Sequence, residues 1–538
     1  MNDWDNDVDV VVLGSGGAGL TAALTAASNG ASVEVYEKAT TVGGTTAVSG
    51  GIVWIPAHGR AADGELPVED AMDYLRAQSL GFMDDELMQT FVRTGAEMLD
   101  YIEAHCDLRF EVAEGFPDYK PELPGGRPSG GRSLNAKPFD LSRLGDWRGR
   151  ITAFPADFSN VGIDAETRAR IHASVDEEGD YCVAGTALIA GLLTGLLDIG
   201  VVPRTDGRAV DLISDGVRIT GVRITHEGKD LRVRAKRGVV LATGGFEWDP
   251  KLVEAYLRGP MHGAVSPPNN TGDGLRMAMA HGADLANMGE AWWVPIVQLP
   301  GDTFAGHPRS RSVRLERTRP RSIIVNRAGK RFLNEAGEYN SMAGPFQYLD
   351  PRNGYANDPA WIVFDSLHLK RYGFLGVLPG EPAPDWFSPS ADLAELGAKT
   401  GIDPDGLART LAEWNDNVAH ETDPDFGRGS GAYDGYWGDD KATTTAGKTL
   451  GPIDTAPYFA APVSIGAMGT KGGPRTDRDG RVLHVNGSPI PGLYAAGNAM
   501  AGATGKAYGG AGGTLGPAMV FGYRVGLAVS ARADANAP

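Results

Sequence analysis

Three tyrosines lie in sequence contexts that could place a phenol against a substrate. Tyr119 lies in the stretch FPDYKPELPGG, Tyr339 in NEAGEYN, and Tyr508 in AYGGAG, which ends at Gly512. A phenol can donate a hydrogen bond to a carbonyl, or act as a base if neighbours lower its pKa from about 10. The glycines after Tyr508 give its ring little reason to pack and let a ligand approach, which favours a functional role. For Tyr119, the alternative is an ordinary buried aromatic with a satisfied hydroxyl.

Apart from these tyrosines, the sequence contains few residues suited to redox chemistry or metal binding. The two cysteines, Cys106 and Cys182, form neither a C-x-x-C pair nor a metal-ligand spacing, so we predict no disulfide framework and no metal site. A redox reaction would therefore need a bound cofactor. Only one dinucleotide fingerprint is visible, so we expect an external electron acceptor, such as a quinone, to complete the cycle.

That fingerprint is DVVVLGSGGAG, which begins at Asp9 and places an apolar strand directly before a glycine-rich turn. Gly14, Gly16 and Gly19 keep the G-x-G-x-x-G spacing, and a helix is predicted over Leu20–Asn29. The first glycine allows the tight turn, the second lets the backbone approach a pyrophosphate, and the third lets the helix pack on the sheet. The pyrophosphate would bind at the helix N-terminus.

Further segments point to FAD rather than NAD. A second strand, Ala31–Tyr36, is followed by Glu37, whose carboxylate can accept hydrogen bonds from the ribose hydroxyls. The same negative charge disfavours a cofactor that carries a 2′-phosphate. Glycine and hydroxyl residues follow at 41–51, and two later strands, at 239–245 and 492–498, end in small residues. Together these segments resemble the FAD-binding pattern of the glutathione-reductase-like flavoproteins, which implies FAD. The 43–51 loop contains no histidine, so we expect non-covalent FAD. The residues predicted to bind it are Gly14, Ser15, Gly16, Gly17, Ala18, Gly19, Glu37, Lys38, Gly43, Gly44, Thr45, Thr46, Ser49, Gly50, Gly51, Thr243, Gly244, Gly497, Asn498 and Leu515.

Composition restricts the partners. The 538 residues carry a formal net charge of −18, which disfavours nucleic acid and anionic membranes. The longest apolar run, Cys182–Leu197, contains glycines and is too short to span a bilayer, so we predict a buried helix and no integral membrane segment. The acidic start lacks a signal-peptide pattern, and we expect a cytoplasmic location.

The order of predicted elements indicates an α/β fold with two domains. We assign residues 1–290 and 455–538 to a Rossmann-like FAD-binding domain and residues 291–454 to an inserted α+β catalytic domain. Strands 217–224 and 231–233 are predicted to precede the strand that ends at Leu241. We expect Glu335 and the arginines of 311–321 to form a solvated face; an acidic substrate is the alternative explanation for so dense a cluster.

Nearly the whole chain resembles the 3-ketosteroid Δ1-dehydrogenases. The resemblance rests on GGTTAVSGG, PDYKPELPGG, SIIVNRAGKRFLNEAGEY and AAGNAMAGATGKAYGGAGGTLGPAM. It implies FAD-dependent removal of two hydrogens next to a ring carbonyl. Tyr508 and the backbone N–H of Gly512 would polarise the ketone oxygen, Tyr339 would abstract the α-proton, and Tyr119 would favour its phenolate.

Several alternatives stay open at this stage. Departures such as AHG at 57–59 and GEYN around Tyr339 leave room for a smaller, apolar cyclohexanone-type ketone, with Tyr181 and Trp293 shaping the pocket. A fumarate-reductase-like reaction is disfavoured, because Tyr508 stands where those enzymes carry a histidine. A Δ4-type dehydrogenase and a flavin-binding module without turnover remain further alternatives.

Overall fold

A computed structural model describes residues 4–61, 64, 66–153, 180–352 and 354–531. The strands are β1 Asn6–Leu13, β2 Val33–Tyr36, β3 Ile52–Trp54, β4 Phe110–Glu114, β5 Gly130–Ala136, β6 Phe139–Asp140, β7 Tyr181–Cys182, β8 Gly207–Ser214, β9 Ile219–His226, β10 Lys229–Leu241, β11 Leu285–Ala286, β12 Ala291–Phe304, β13 His307–Ser312, β14 Ser322–Asn326, β15 Leu349–Asp350, β16 Gly354–Tyr355, β17 Ala360–Asp365, β18 Tyr458–Thr470, β19 Gly473–Pro474, β20 Arg481–Leu483 and β21 Pro489–Ala495.

Helices cover these strands and connect them. The α-helices are α1 Gly17–Ser28, α2 Gly44–Ala47, α3 Val68–Ser79, α4 Asp85–His105, α5 Ala184–Asp198, α6 Pro250–Tyr256, α7 Asp273–Ala280, α8 Leu315–Thr318, α9 Ala343–Phe346, α10 Ser366–Tyr372, α11 Leu393–Thr400, α12 Pro404–Ala419, α13 Ala432–Tyr436, α14 Thr445–Thr449 and α15 Leu515–Ser530. Within the described residues, no helix is both long and apolar enough to cross a membrane.

The first sheet has the strand order β2-β1-β10-β21-β20, with β9 beside β10 and β8 beside β9. Strands β2, β1, β10 and β21 run parallel, and Val10–Leu13 are at most 1% exposed, as expected for a parallel sheet covered on both faces. Leu13 lies beside Leu241, and Leu241 beside Ala495. The three central strands therefore end at one edge, where ligands of doubly wound sheets bind.

Small residues bring α1 and α15 into close contact beneath this edge. A Cβ on Gly522 would lie 2.5 Å from the Ala18 carbonyl oxygen, and one on Gly526 would lie 2.5 Å from Cβ of Thr25. Neither contact leaves room for a larger residue. Helix α15 thus holds α1, and with it the glycine-rich turn, against the sheet.

The second sheet, in the order β13-β12-β18-β17-β14, is antiparallel. Strand β18 (458–470) pairs with both β12 and β17, although residues after 454 were expected to belong to the FAD-binding domain. The chain therefore returns to the first sheet only after Thr470, later than the predicted boundary at 455. Leu231–Val233 and Leu241 also differ from expectation, because both lie in the single long strand β10 rather than in two strands.

The prediction that Glu335 and the arginines of 311–321 form a solvated face is wrong: Glu335, Arg311 and Arg317 are buried, and the other three arginines are half-buried. Glu335 is fully buried; its carboxylate accepts a hydrogen bond from the Ile324 N–H at 3.0 Å and pairs with Arg331 at 2.7 Å and Arg428 at 3.2 Å. Burial alone would raise the pKa of Glu335, but the two guanidinium groups hold it below its usual range. Arg317 is 1% exposed and donates to the Gly337 carbonyl at 2.8 Å. These residues brace the segment that carries Tyr339.

Candidate active site

A large cavity begins at the carboxyl edge of the first sheet and reaches the second sheet. It holds about 1920 Å³ of space, part of it open to solvent. Every residue predicted to bind the cofactor lines it except Gly19 and Gly43. At its other end it is lined by Phe116, Tyr119, Ser312, Arg314, Tyr339, Trp437, Met468, Tyr508, Gly512 and Thr514.

The glycine-rich turn has the geometry that its spacing predicts. Gly14 has φ +106°, and a Cβ there would lie 2.3 Å from the Ala242 carbonyl oxygen. Gly19 faces the sheet instead of the cavity, because its own Cβ would lie 2.1 Å from the Gly14 carbonyl oxygen. Helix α1 starts at Gly17, so its N-terminal end borders the cavity, where a helix favours negative charge.

Glu37 is fixed at the wall by the turn itself. One carboxylate oxygen accepts hydrogen bonds from the N–H and hydroxyl of Ser15, at 3.1 and 2.7 Å, and the other accepts from the Ala39 N–H at 2.9 Å. The Ser15 hydroxyl in turn accepts a hydrogen bond from the N–H of Gly43 at 3.0 Å. Gly43 therefore helps to hold Ser15 in place, although it does not line the cavity. Lys38 is held by Asp273 at 2.9 Å.

Two observations fit a bound dinucleotide at this end. Thr243, in the wall, has a buried hydroxyl without a hydrogen-bond partner in the described part of the protein, which a ligand would satisfy. A Cβ on Gly44, whose φ is +48°, would meet no atom within 4 Å, so this backbone borders open space. The described cavity wall contains no histidine or cysteine.

The three tyrosines meet at the opposite end of the cavity. The hydroxyls of Tyr119 and Tyr339 are 2.6 Å apart, and Tyr339 donates to the Tyr508 hydroxyl at 3.0 Å. Thr514, a residue that the sequence analysis did not single out, donates to the same Tyr508 oxygen at 3.3 Å. All three phenols are buried, with at most 6% of each residue exposed. A connected row of hydroxyls therefore faces the space beyond the dinucleotide end.

Backbone hydrogen bonds fix the loops that carry these phenols. The Tyr119 N–H donates to the Gly509 carbonyl at 3.0 Å, and the Tyr74 hydroxyl donates to the same oxygen at 2.7 Å. Gly512 has φ +93°, and a Cβ there would lie 2.4 Å from the Ile52 carbonyl oxygen. The loop around Tyr508 is therefore tied both to the Pro-rich loop and to β3, and Gly512 cannot be replaced without strain.

A buried ion pair supports the Pro-rich loop from beneath. Asp118 pairs with Arg132 at 2.7 Å and accepts from the Trp54 indole at 3.0 Å and the Arg127 N–H at 3.0 Å. Asp118 and Arg127 lie in the loop between β4 and β5, whereas Trp54 lies in β3 and Arg132 in β5, so the sequence pattern did not reveal the pair. It orients the backbone immediately before Tyr119.

Burial dominates the electrostatics of the tyrosine cluster, and a buried lysine lies beside it. Burial raises the pKa of Tyr119, Tyr339 and Tyr508, since a phenolate loses its hydration there. Lys471, also missed in the sequence, is buried with its ammonium 5.8 Å from the Tyr508 ring centroid. Burial lowers the pKa of Lys471 to about 7. Its only sequence signal is a lysine within the glycine-rich GTKGG.

The two residues expected to shape a substrate pocket lie elsewhere. Tyr181 lies in β7 and is 43% exposed, and it does not line the cavity. Trp293 is buried in β12, outside the cavity wall. Its backbone N–H donates to the Asn340 side chain at 3.1 Å, so it supports the segment next to Tyr339 without facing the cavity.

A Rossmann-type sheet, a dinucleotide cavity and a row of phenols define a flavin-dependent oxidoreductase. The chain belongs to the FAD binding domain family, whose sequence pattern matches residues 9–515, and FAD is its cofactor. The family match confirms the predicted α/β FAD-binding fold. It also confirms the prediction that the protein is an oxidoreductase acting on CH–CH groups.

Three relatives illustrate the family. The chain is 41% identical to 4-oxocyclohexanecarboxylate 2-dehydrogenase of Sinomonas cyclohexanicum, over 98% of this chain and 93% of that protein. It is 39% identical to 3-oxosteroid 1-dehydrogenase of Mycolicibacterium smegmatis, over 98% of each. The crystal structure of 3-ketosteroid Δ1-dehydrogenase from Sterolibacterium denitrificans with 1,4-androstadiene-3,17-dione superposes with a TM-score of 0.89 at 33% identity, covering 98% of this chain and 99% of that one. The resemblance found from sequence motifs is thereby confirmed.

Proposed function

We propose that the protein desaturates the bond between the α- and β-carbons of a cyclic ketone. The observation that carries this proposal is the single cavity that joins the dinucleotide end to three hydrogen-bonded phenols. Such phenols suit the activation of a carbonyl and the removal of an adjacent proton. The named relatives act on 3-oxosteroids and on 4-oxocyclohexanecarboxylate, and a ketone on a six-membered ring is the chemistry that they share.

Each catalytic residue then has a distinct role. The hydroxyl of Tyr508 and the N–H of Gly512 donate hydrogen bonds to the ketone oxygen and stabilise the negative charge that develops on it. Tyr339 removes a proton from the α-carbon. The Tyr119 hydroxyl, 2.6 Å from that of Tyr339, would donate a hydrogen bond to the Tyr339 phenolate and so favour the ionised form.

The glycine-rich turn, Glu37 and the 43–51 loop would hold FAD, which would serve as the two-electron oxidant for the hydride removed from the β-carbon. The absence of histidine and cysteine from the described cavity wall supports a non-covalent cofactor. Electrons then leave to an external acceptor such as a quinone, since the sequence contains no second dinucleotide fingerprint.

The direct test is product analysis with an artificial electron acceptor. The flavin-loaded protein is expected to convert a cyclic ketone, either a 3-ketosteroid or 4-oxocyclohexanecarboxylate, into the α,β-unsaturated ketone that lacks two hydrogens. Mass spectrometry and the absorbance of the conjugated enone would identify the product. Oxidation at another carbon, or no product from either ketone, would contradict the proposed function.

The pH dependence of the reaction should report the ionisation of Tyr339. Burial holds its pKa well above the ordinary value of 10, so the phenolate is the minor form at neutral pH and increases as the pH rises. We therefore expect kcat/KM to rise by roughly tenfold per pH unit between about pH 7 and 9. A rate that is constant or falls across this range would remove an ionising tyrosine base from the account.

A further inference from the structure

Arg314 lies in the same cavity as the catalytic phenols but has no part in the proposed proton transfer. It follows β13 and immediately precedes α8, and it lines the cavity with Ser312, Tyr339 and Tyr508. The residue is half-buried. Its positive charge reaches the phenols, because it acts to lower the pKa of Tyr508 against the larger effect of burial.

The neighbouring arginines all have partners inside the protein. Arg309 and Arg311 pair with Asp302, the latter at 2.8 Å, and Arg317 donates to backbone carbonyl groups. Arg314 differs: across the residues that the structure describes, no ion pair or hydrogen bond involves its guanidinium. A partly desolvated guanidinium that makes no ion pair or hydrogen bond is costly unless a ligand supplies a partner.

The nearby carboxylates of Glu316 and Glu338 accept hydrogen bonds from backbone N–H groups, and burial raises the pKa of Glu316 although the charge of Arg314 acts against this effect. Glu316 accepts a hydrogen bond from the backbone N–H of Arg314 at 3.2 Å. Glu338 accepts from the N–H groups of Asn340 and Ser341, at 2.7 and 3.0 Å, and lies 4.0 Å from the Lys120 ammonium. The guanidinium therefore faces a cavity whose tyrosine end offers phenols and a hydroxyl but no acidic side chain among the described lining residues.

We infer that Arg314 binds a carboxylate of the substrate, so that the enzyme selects cyclic keto acids over neutral cyclic ketones. The inference rests on the proposed function and specifies its substrate class. The ketone oxygen would lie at Tyr508 and Gly512, and the carboxylate would lie at Arg314, which fixes the ring at two points. A guanidinium suits this role because it can donate two parallel hydrogen bonds to one carboxylate. The name of the 41% identical relative, which acts on 4-oxocyclohexanecarboxylate, agrees with this class.

The kinetic test compares a keto acid with its neutral counterpart. We expect the wild-type enzyme to show a kcat/KM for 4-oxocyclohexanecarboxylate roughly 10² times that for its methyl ester. Arg314→Met should lower this ratio by at least roughly tenfold, and Arg314→Lys should lower it less, because the charge remains while the paired donors are lost. Arg327→Met is the matched control: it removes the same charge from an exposed position and should leave the ratio unchanged.

A binding measurement separates this inference from the proposed function. Isothermal titration calorimetry of the flavin-loaded protein with 4-hydroxybenzoate and with phenol requires no turnover. We expect Arg314→Met to weaken the binding of 4-hydroxybenzoate by roughly tenfold or more and to change the binding of phenol much less. An unchanged acid-to-neutral preference in that variant, or a higher kcat/KM of the wild type for a neutral 3-ketosteroid, would overturn the role of Arg314. Failure of every cyclic ketone to react would overturn the proposed function instead.

Discussion

Replacing Tyr339 by Phe is expected to lower kcat by roughly 10³ to 10⁴, because it removes the group that takes the α-proton. The ring and its edge contact with Tyr508, at a centroid distance of 5.6 Å, would remain, so packing should change little. The measurement is steady-state turnover of a cyclic ketone with an excess of acceptor. Substrate affinity should fall much less than kcat, since Tyr508 and Gly512 still hold the carbonyl.

A second readout distinguishes lost proton transfer from a damaged fold. The wild-type protein should catalyse exchange of the α-hydrogens of the ketone with deuterium from solvent, and Tyr339→Phe should not. Tyr433→Phe is the matched control, since its ring packs 5.2 Å from that of Tyr119 but is absent from the cavity wall. Normal turnover in Tyr339→Phe, with normal flavin content, would assign the base to another residue.

Replacing Tyr508 by Phe is expected to lower kcat by roughly 10² to 10³, the usual effect of removing one donor from an oxyanion site. The cause differs from that in Tyr339→Phe, because the charge on the ketone oxygen would then be stabilised by Gly512 alone. Affinity for the ketone should also weaken, since the same hydroxyl contacts the ground-state carbonyl. Turnover, ketone affinity and flavin content would be measured together.

The pH profile supplies the control for Tyr508→Phe. The rise of kcat/KM with pH should persist in this variant, because Tyr339 remains the ionising group. If Tyr508→Phe kept full activity, the phenol would have no part in polarising the ketone. If it lost both the activity and the pH dependence, Tyr508 itself would be the base.

The sequence signals at the predicted cofactor end are local. The turn from Gly14 to Gly19 combines a strand, three glycines and a helix within a few residues, and backbone geometry fixes what such a segment can bind. The tyrosines were found for a different reason, since Tyr119, Tyr339 and Tyr508 stand in motifs of a known family. Their hydrogen-bonded contact could not be derived from spacing, because they lie on three distant segments.

The remaining errors arise from tertiary burial. A run of arginines looks like a solvated face in a sequence, yet Arg311 and Arg317 are buried. The carboxylate of Asp302 compensates the first, and backbone carbonyl groups compensate the second. Tyr181 looks available for a pocket but lies in an exposed edge strand. The sequence gives no signal that distinguishes Arg314 from its neighbours, because the difference lies in their side-chain partners within the described part of the structure.

Anaerobic titration of the flavin-loaded protein with a cyclic ketone tests the central claim most directly. Without an acceptor, electrons taken from the substrate must stay on the flavin, so its long-wavelength absorbance band should bleach as 4-oxocyclohexanecarboxylate or a 3-ketosteroid is added. An equivalent amount of the α,β-unsaturated ketone should form. Bleaching with that product would support ketone desaturation, and an unchanged flavin spectrum with both ketones would contradict it.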